Sequence, residues 1–479
     1  MRRNGKSLMI SILLILCIAL LGVCTGEAAT GYAPEGEYIS VLQEMLKTPW
    51  AETALPENEG AAGGTEETEE NAGKSAVSLN GPEAGAVPAE TEKTAPFGEA
   101  KDITGSCLIT LCSTPWNSTM ITDKQYTTYW DSYSTREPWL TIHSETPMYG
   151  LYLCFRRMPT SFTIEVPGAE EGEWLPLMEG DTRFHHSFYA LAGISDLRIR
   201  STQSGAHKMG FNELYVFGRG DIPDWVQRWE PAEGKADILF FSAHPDDEIL
   251  FYGGAIPTYA SERKKRVVVA YLSYSNTTRR SEVLNGLWAM GVRHYPEFGG
   301  FQDTWSNKTA DAYRKLGKKK VLMWVAEMYR KHQPDVVVTH DLNGEYGHGQ
   351  HKMLGDAAIQ CYDLAANPEK YPESYIVYGT WQVRKLYVHL WGDASNQTCF
   401  DWNIPLESMG GKTGLEVARE AYDMHVTQAS AKVKIRGKWH LLSVDETGTV
   451  FSNTTFGLYA SQVGQDETHT DFLEHIENN

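Results

Sequence analysis

Two short stretches concentrate the residues able to do chemistry. In FFSAHPDDEILFYGG, residues 240 to 254, His244, Asp246 and Asp247 crowd behind an apolar run and ahead of a glycine pair. Further on, DVVVTHDLNGEYGHGQHKMLGDAA carries His340, His348 and His351. His244 and Asp247 are three apart and can converge on one point from a tight turn, whereas Asp246 is directed elsewhere. One carboxylate can therefore ligate a metal while its neighbour faces the water. Catalytic zinc takes three protein ligands and keeps one position open, so a third ligand is expected from the second stretch, where the three histidines are all candidates. His348 and His351 repeat the three-residue spacing at a loop-to-helix boundary. HPDDE alone also suits a plain helix start, with Pro245 in the first turn and Asp246 or Asp247 favoured by the helix dipole. Two strand ends that each deliver a histidine with acidic or second-histidine company argue for the metal site.

The elements that must position these groups are legible from the apolar pattern. KADILFFSA, RVVVAYLSY and DVVVTH are continuous apolar runs, as strands buried on both faces should be. RRSEVLNGLWAMG and DAYRKLGKKKVLMWVAEMYRKH between them read as helices, which gives an α/β fold with a parallel sheet covered on both faces over residues 236–479. Ligands bind outside the carboxyl ends of such strands, and His244 sits just past the first. Residues 101–220 differ: WLTIHSE, GLYLCFRR, SFTIEVPG, SDLRIRS and NELYVFG alternate between turn signals, predicting an antiparallel β-sandwich. Residues 221–235, DIPDWVQRWEPAEGK, are a connector whose two tryptophans clamp the sandwich onto the α/β half of the chain.

The amino terminus reads as processing and tethering sequence. Residues 1–28 hold a basic lead, an apolar run from Leu8 to Val23 and then small residues, the layout of a secretory signal. The run falls short of the roughly 20 residues of a spanning helix, so cleavage near Ala28 is expected, and membrane attachment would arise only from an uncleaved signal or a lipid on Cys24. Residues 29–100 form an acidic, Glu-, Ala-, Gly- and Pro-rich linker that cannot bury enough surface to offset its conformational entropy. The expected location is extracytoplasmic, secreted or surface-associated. The net charge is −19, and loss of Arg2, Arg3, Lys6 and Glu27 with the leader takes it to −21. That acidity argues against a nucleic-acid partner. Cys107, Cys112, Cys154, Cys361 and Cys399 remain, an odd number whose spacing suits no Cys-based zinc site.

HPDDE, followed by GHxxH after a strand ending in TH, resembles the PIG-L or LmbE-like zinc deacetylases over about residues 236–475. The resemblance implies a Rossmann-like sheet and removal of N-acetyl groups from N-acetylglucosamine-type sugars in glycans or glycoconjugates. It implies Zn2+ on His244, Asp247 and His351, with Asp246 as general base and His348 polarising the amide carbonyl. TTRRSEVLNGLWAMGV and GGFQDTW match the family's segments, implying substrate contacts from Arg279 and Asp303; His425 is expected to give at most rim contacts. With zinc bringing the pKa of water from 15.7 toward about 7, Asp246 would take the proton, and a protonated His348 would donate to the oxyanion. Many bacterial members carry Pro-Asp between the two histidines where this chain has Gly349 and Gln350, removing a carboxylate expected to orient His348. The sandwich, ending in FNELYVFG, resembles the galactose-binding-like jelly roll of the discoidin family, which implies a carbohydrate partner; Trp116, Tyr129, Trp130 and Trp139 are the candidate sugar-facing aromatics. Two other readings stay open: a zinc amidase on another N-acyl compound, and a carbohydrate-binding surface protein with an inactive hydrolase domain.

Overall fold

Strand alternation between Leu108 and Phe217 is realised as seven strands. These are β1 (Leu108–Leu111), β2 (Trp130–Asp131), β3 (Trp139–Arg157), β4 (Phe162–Pro167), β5 (Trp174–Glu179), β6 (His186–Ser201) and β7 (Gly210–Phe217). The computed structural model describes residues 98–274 and 276–476, without the side chains of Pro115 and Trp116; the expected leader and nearly all of the expected linker lie outside the described residues. Every pairing in the first seven strands is antiparallel. The long β3 and β6 run side by side with register shifts between His143 and Gly150. Both ends of β3 feed one core, Leu140 and Ile142 from one half and Leu151, Leu153 and Phe155 from the other, closed by Ile199, Leu214 and Val216. This is the expected sandwich. Of the candidate aromatics, Trp130 is core, stacked on Phe211, and Trp139 is half-buried. Tyr129 is exposed, with the Arg156 guanidinium 3.8 Å from its ring centre. The Trp116 side chain lies outside the described part of the molecule.

The second half is built on β8 (Ile238–Ser242), β9 (Val267–Ser273), β10 (Glu297–Phe301), β11 (Val336–Thr339) and β12 (Lys385–His389), with β13 (Gln397–Cys399) and, near the end of the chain, β18 (Thr455–Ser461). Their order is β10-β9-β8-β11-β12-β18-β13. Five strands are parallel, as expected, but β18 and β13 add an antiparallel edge beside β12. Alternate residues of the apolar runs go to opposite faces. Ile238, Phe240, Val269 and Val338 pack with α1 (Asp247–Tyr252) and α2 (Thr277–Ala289), whereas Leu239, Phe241, Val268 and Val337 pack beneath α3 (Thr309–Leu316), α4 (Lys318–His332) and α5 (Gly349–Leu364). The stretch expected as one helix is two, α3 and α4, because Gly317 adopts φ 86 between them, a conformation only glycine takes without penalty.

The chain leaves β8 toward β9 and β10 on one side, then returns to place β11 on the other. Strand order therefore reverses at the β8–β11 boundary, where the loops leaving the two carboxyl ends part and open a crevice. Those are the loops that carry His244 and His340 to His351. α6 (Pro372–Tyr378), α7 (Gly414–Asp423), the ribbon β14 (Pro405–Leu406) and β15 (Lys412–Thr413), the hairpin β16 (Lys432–Ile435) and β17 (Lys438–Leu441), and α8 (Val444–Val450) complete the described chain. The described residues fall within one compact unit.

Candidate metal centre

Just beyond β8 the chain turns tightly into α1. The His244 amide donates to Asp247 Oδ2 at 2.9 Å, so the carboxylate both closes the turn and faces the crevice. The imidazole Nδ1 of the same histidine lies 3.0 Å from Asp247 Oδ2. From the other loop, His351 in the first turn of α5 brings Nε2 to 3.2 Å from His244 Nδ1 and 3.1 Å from Asp247 Oδ2. Three donor atoms thus form a nearly equilateral triangle, a little tighter than the edges of about 3.3–3.6 Å that three corners of a tetrahedron present around a cation with 2.0–2.2 Å bonds. Asp247 Oδ1 is buried with no hydrogen-bond partner among the described residues.

His340, an equal candidate by sequence, is excluded by its hydrogen bonds. Its Nε2 accepts from the Ala243 amide at 2.9 Å, tying the ends of β8 and β11 together, and its Nδ1 faces Glu345 Oε2 at 2.9 Å. His348 lies beside the triangle, its ring centre 4.6 Å from that of His244 and 4.8 Å from that of His351. It is the N-cap of α5: Nδ1 accepts from the Gln350 amide at 3.2 Å, which leaves the ring proton on Nε2. Burial, together with the charges of His351 and His244, pushes His348 down to about 2. A neutral imidazole with its proton on Nε2 can still donate to a carbonyl, so the donor role expected of His348 does not require a protonated ring.

Asp246 holds a left-handed backbone, φ 112 and ψ −28, costly for a residue with a Cβ. Glu248 braces it by accepting the Asp246 amide at 2.9 Å. Burial, reinforced by the neighbouring Asp246, lifts Glu248 to about 8, so it acts as a neutral brace. Asp246 itself is raised to about 7 by burial, against the pull of Arg279. Arg279, at the start of α2, donates to the Pro245 carbonyl and lies 3.4 Å from Asp246 Oδ2 and 3.6 Å from Glu282 Oε2. Asp303 Oδ1 stands 3.5 Å from His244 Nε2. His244, Asp246, Arg279, Asp303, Trp305 and His348 all line one cleft of about 260 Å³.

Sequence reasoning missed Glu345, which lay inside the quoted stretch without a spacing to mark it. It is fully buried and gathers three imidazoles: His351 Nδ1 at 2.8 Å, His340 Nδ1 at 2.9 Å and His389 Nδ1 at 2.6 Å. Although burial opposes it, His340 and the other imidazoles hold Glu345 well below the usual carboxylate range. Burial likewise opposes a charge on His351, yet Asp247 and Glu345 lift it to about 10. Two carboxylates on one imidazole make the triangle a place for positive charge, and the donor set, two imidazole nitrogens and a carboxylate oxygen, suits zinc or another borderline divalent cation. Gly344, at φ 67, permits the turn, since a Cβ there would meet the His348 carbonyl at 2.5 Å.

Two expectations are revised at this site. The Gly349-Gln350 pair does not leave a histidine unoriented: Gln350 Oε1 faces His244 Nε2 at 2.9 Å and accepts from the Thr304 amide, while its Nε2 donates to the Gln302 carbonyl. The amide thus orients His244, not His348, and ties it to the loop bearing Asp303. Gly349 lets that loop approach, its amide donating to the Ser306 carbonyl at 2.7 Å. His425, expected at the rim, is buried with Glu248 Oε1 3.7 Å away, and burial pushes it down to about 3.

Residues 239–362 match the family described as PIG-L, GlcNAc-PI de-N-acetylase. These residues form a PIG-L domain. Among curated proteins, the chain is 28% identical over 178 residues to the 1D-myo-inositol 2-acetamido-2-deoxy-alpha-D-glucopyranoside deacetylase 1 of Catenulispora acidiphila, covering 31% of this chain and 54% of that enzyme. The chain thus spans about half the length of that relative. Among solved structures, the N,N'-diacetylchitobiose deacetylase of Pyrococcus horikoshii is similar at 18% identity, covering 40% of this chain and 71% of that one with a TM-score of 0.30. An F5/8 type C domain from Bacteroides fragilis is similar at 14% identity, covering 27% and 100% with a TM-score of 0.22. The matched PIG-L segment contains every candidate ligand, Asp246, His348, Arg279, Asp303 and Glu345.

Proposed function

We propose that the protein is an exported, zinc-dependent deacetylase that hydrolyses the N-acetyl group of an N-acetylglucosamine-type amino sugar in a glycan or glycoconjugate. The observation that carries this reading is the triangle of His244 Nδ1, Asp247 Oδ2 and His351 Nε2, with edges of 3.0 to 3.2 Å, whose His244 lines one cleft together with Asp246 and His348. His244, Asp247 and His351 would hold a divalent cation, which would supply Lewis acidity and bring the pKa of water toward about 7. Asp246, with its carboxyl near 7, takes the proton as water adds to the acetyl carbon. His348 donates from Nε2 to the carbonyl oxygen as charge gathers on it. As the C–N bond breaks, Asp246 returns the proton to the departing nitrogen, giving acetate and a free amine. Arg279 keeps Asp246 in place, and Asp303 stands where a sugar hydroxyl can be met. The Catenulispora relative is a deacetylase by name, in agreement with this chemistry. Export rests on the leader-like residues 1–28, and delivery to carbohydrate is assigned to the sandwich.

The test is release of acetate and amine from N-acetylglucosamine, its β-linked oligomers and N-acetylglucosaminyl conjugates by the zinc-loaded, leader-free protein. Turnover of these sugars is expected, and loss of metal should abolish it. Cleavage confined to N-acyl amino acids or peptides would replace the sugar reading with the amidase. Bound zinc without turnover on the whole set would leave a carbohydrate-binding surface protein.

A further inference from the structure

The cleft, at about 260 Å³, is smaller than the roughly 300–1,000 Å³ of sites that enclose a whole drug-sized ligand. A glycan seated there must continue over the rim. Part of that rim is the β16–β17 hairpin, outside the PIG-L segment, which supplies Lys432 and Val433 to the cleft wall. In a chain of net charge −19, the hairpin stretch KVKIRGKW carries Lys432, Lys434, Arg436 and Lys438 and no carboxylate. All four cations are exposed. Among the described residues none of them has an ion-pair partner; the nearby carboxylates of Glu446, Asp445 and Glu420 are engaged by His440, Arg419 and Lys412.

Register decides what this surface presents. Lys432 pairs with Leu441 and Lys434 with Trp439, and residues paired across an antiparallel ladder share a face. Val433 and Ile435 are buried on the other face. Lys432, at the cleft, therefore begins a face that runs outward through Lys434 to Trp439, which is 67% exposed. A second indole, Trp305, 61% exposed, stands at the cleft itself with its ring centre 4.6 Å from that of His348. Indole faces stack on the apolar faces of sugar rings, whereas unpaired ammonium groups beside them call for an oxyanion.

Building on the deacetylase reading, we propose that the hairpin is an anion-recognising rim. It selects amino-sugar substrates that carry a carboxylate or phosphate just beyond the anomeric carbon of the sugar being deacetylated, as an anomeric phosphate or on the next unit. Lys432 meets the anionic group at the cleft mouth, Lys434 and Trp439 hold the chain beyond it, and Trp305 carries the sugar whose acetyl group is removed.

The experiment compares kcat/KM on three probes: neutral N,N'-diacetylchitobiose, the disaccharide of N-acetylglucosamine with N-acetylmuramic acid, which adds a carboxylate, and N-acetylglucosamine 1-phosphate. The anionic probes are expected to be preferred about tenfold, through KM, and raising NaCl from about 0.05 to about 0.5 M should erase the preference. In the double variant Lys432→Gln, Lys434→Gln the anionic-to-neutral ratio should fall by the same factor with the melting temperature unchanged. Preference for one anionic probe over the other tells carboxylate from phosphate. Equal kcat/KM on neutral and anionic probes, insensitive to salt, overturns the inference while leaving the deacetylase reading intact. No turnover on any probe defeats the deacetylase reading. The rim is then judged by calorimetric binding of the muramic acid disaccharide, and equal binding by both forms ends it. Binding to phosphatidylglycerol vesicles without substrate preference overturns it too, reassigning the hairpin to a membrane surface.

Discussion

Glu345 shows how little a single residue's type says about its task. It contributes no atom to the triangle, yet it fixes which nitrogen of His351 faces that triangle, because Nδ1 is held at 2.8 Å. A carboxylate in that position also makes the imidazole a stronger donor. Replacing Glu345 by Gln keeps the shape but removes the charge shared by His340, His351 and His389, and should weaken metal binding about 10- to 100-fold, measured by zinc titration against a competing chelator. Asp246 predicts the opposite pattern. It supplies no atom to the triangle, so Asp246→Asn should bind metal nearly as wild type does while kcat falls by about 10²–10⁴. Loss of zinc from this variant would mean that the adjacent aspartates have exchanged roles.

At the scale of elements, α2 has two obligations. Arg279 faces the cleft, while the next residue, Arg280, is buried and donates to the carbonyls of Phe155 and Arg156 in the sandwich, both at 3.1 Å. Ser281 completes the contact by meeting His186 Nε2 at 3.3 Å, and His186 Nδ1 faces Gln227 Oε1 at 2.9 Å. Burial pushes His186 down to about 3 from its ordinary 6.5. A depressed histidine is neutral in the folded state, so its contribution is full above pH 6.5 and is lost as pH falls from 6.5 toward 3. The cost is about 1.4 kcal/mol per pH unit over that window. The melting temperature should therefore drop between pH 7 and pH 5, and the drop should be smaller in His186→Asn. The strands that carry the site were readable because doubly buried runs such as VVVAYLS announce themselves, and the HPDDE turn stood out because ionisable groups rarely crowd a strand end. The antiparallel edge was not readable, since the direction of β18 and β13 depends on which neighbours they reach, not on their own residues. The hairpin had a signal in KVKIRGKWHL, alternation around an Arg-Gly turn, but nothing in that pattern says it overlooks a cleft. Gln350 shows the same limit, because its partners come from loops about fifty and a hundred residues away.

For the whole molecule, the contacts across α2 make the sandwich more than an attached carbohydrate module. Phe184, from the loop before β6, belongs to the same apolar cluster as Trp229, Trp288 and the β8 residues Ile238 and Phe240. Trp229 stands edge-on to Trp288 at 5.3 Å and to Tyr295 at 5.6 Å, and its indole N–H donates to Gln227. Trp229, in the connector, thus clamps the two parts as its position suggested; Trp225 packs on Tyr215 and Phe217 of the sandwich instead. A continuous core of this kind couples the unfolding of its parts, and loss of the sandwich would take from Arg280 the Phe155 and Arg156 carbonyls and expose the apolar surface that Phe184 covers. Calorimetry of residues 98–479 should therefore show one transition, with calorimetric and van't Hoff enthalpies equal. A fragment starting at Ala236 should melt lower and bind zinc less tightly, because α2 and the turn it braces at Asp246 lose their support together. Two resolved transitions in the longer protein, with the lower one removable by deleting the sandwich at no cost to zinc affinity, would show that the parts are independent and that Arg280 holds nothing the metal centre needs.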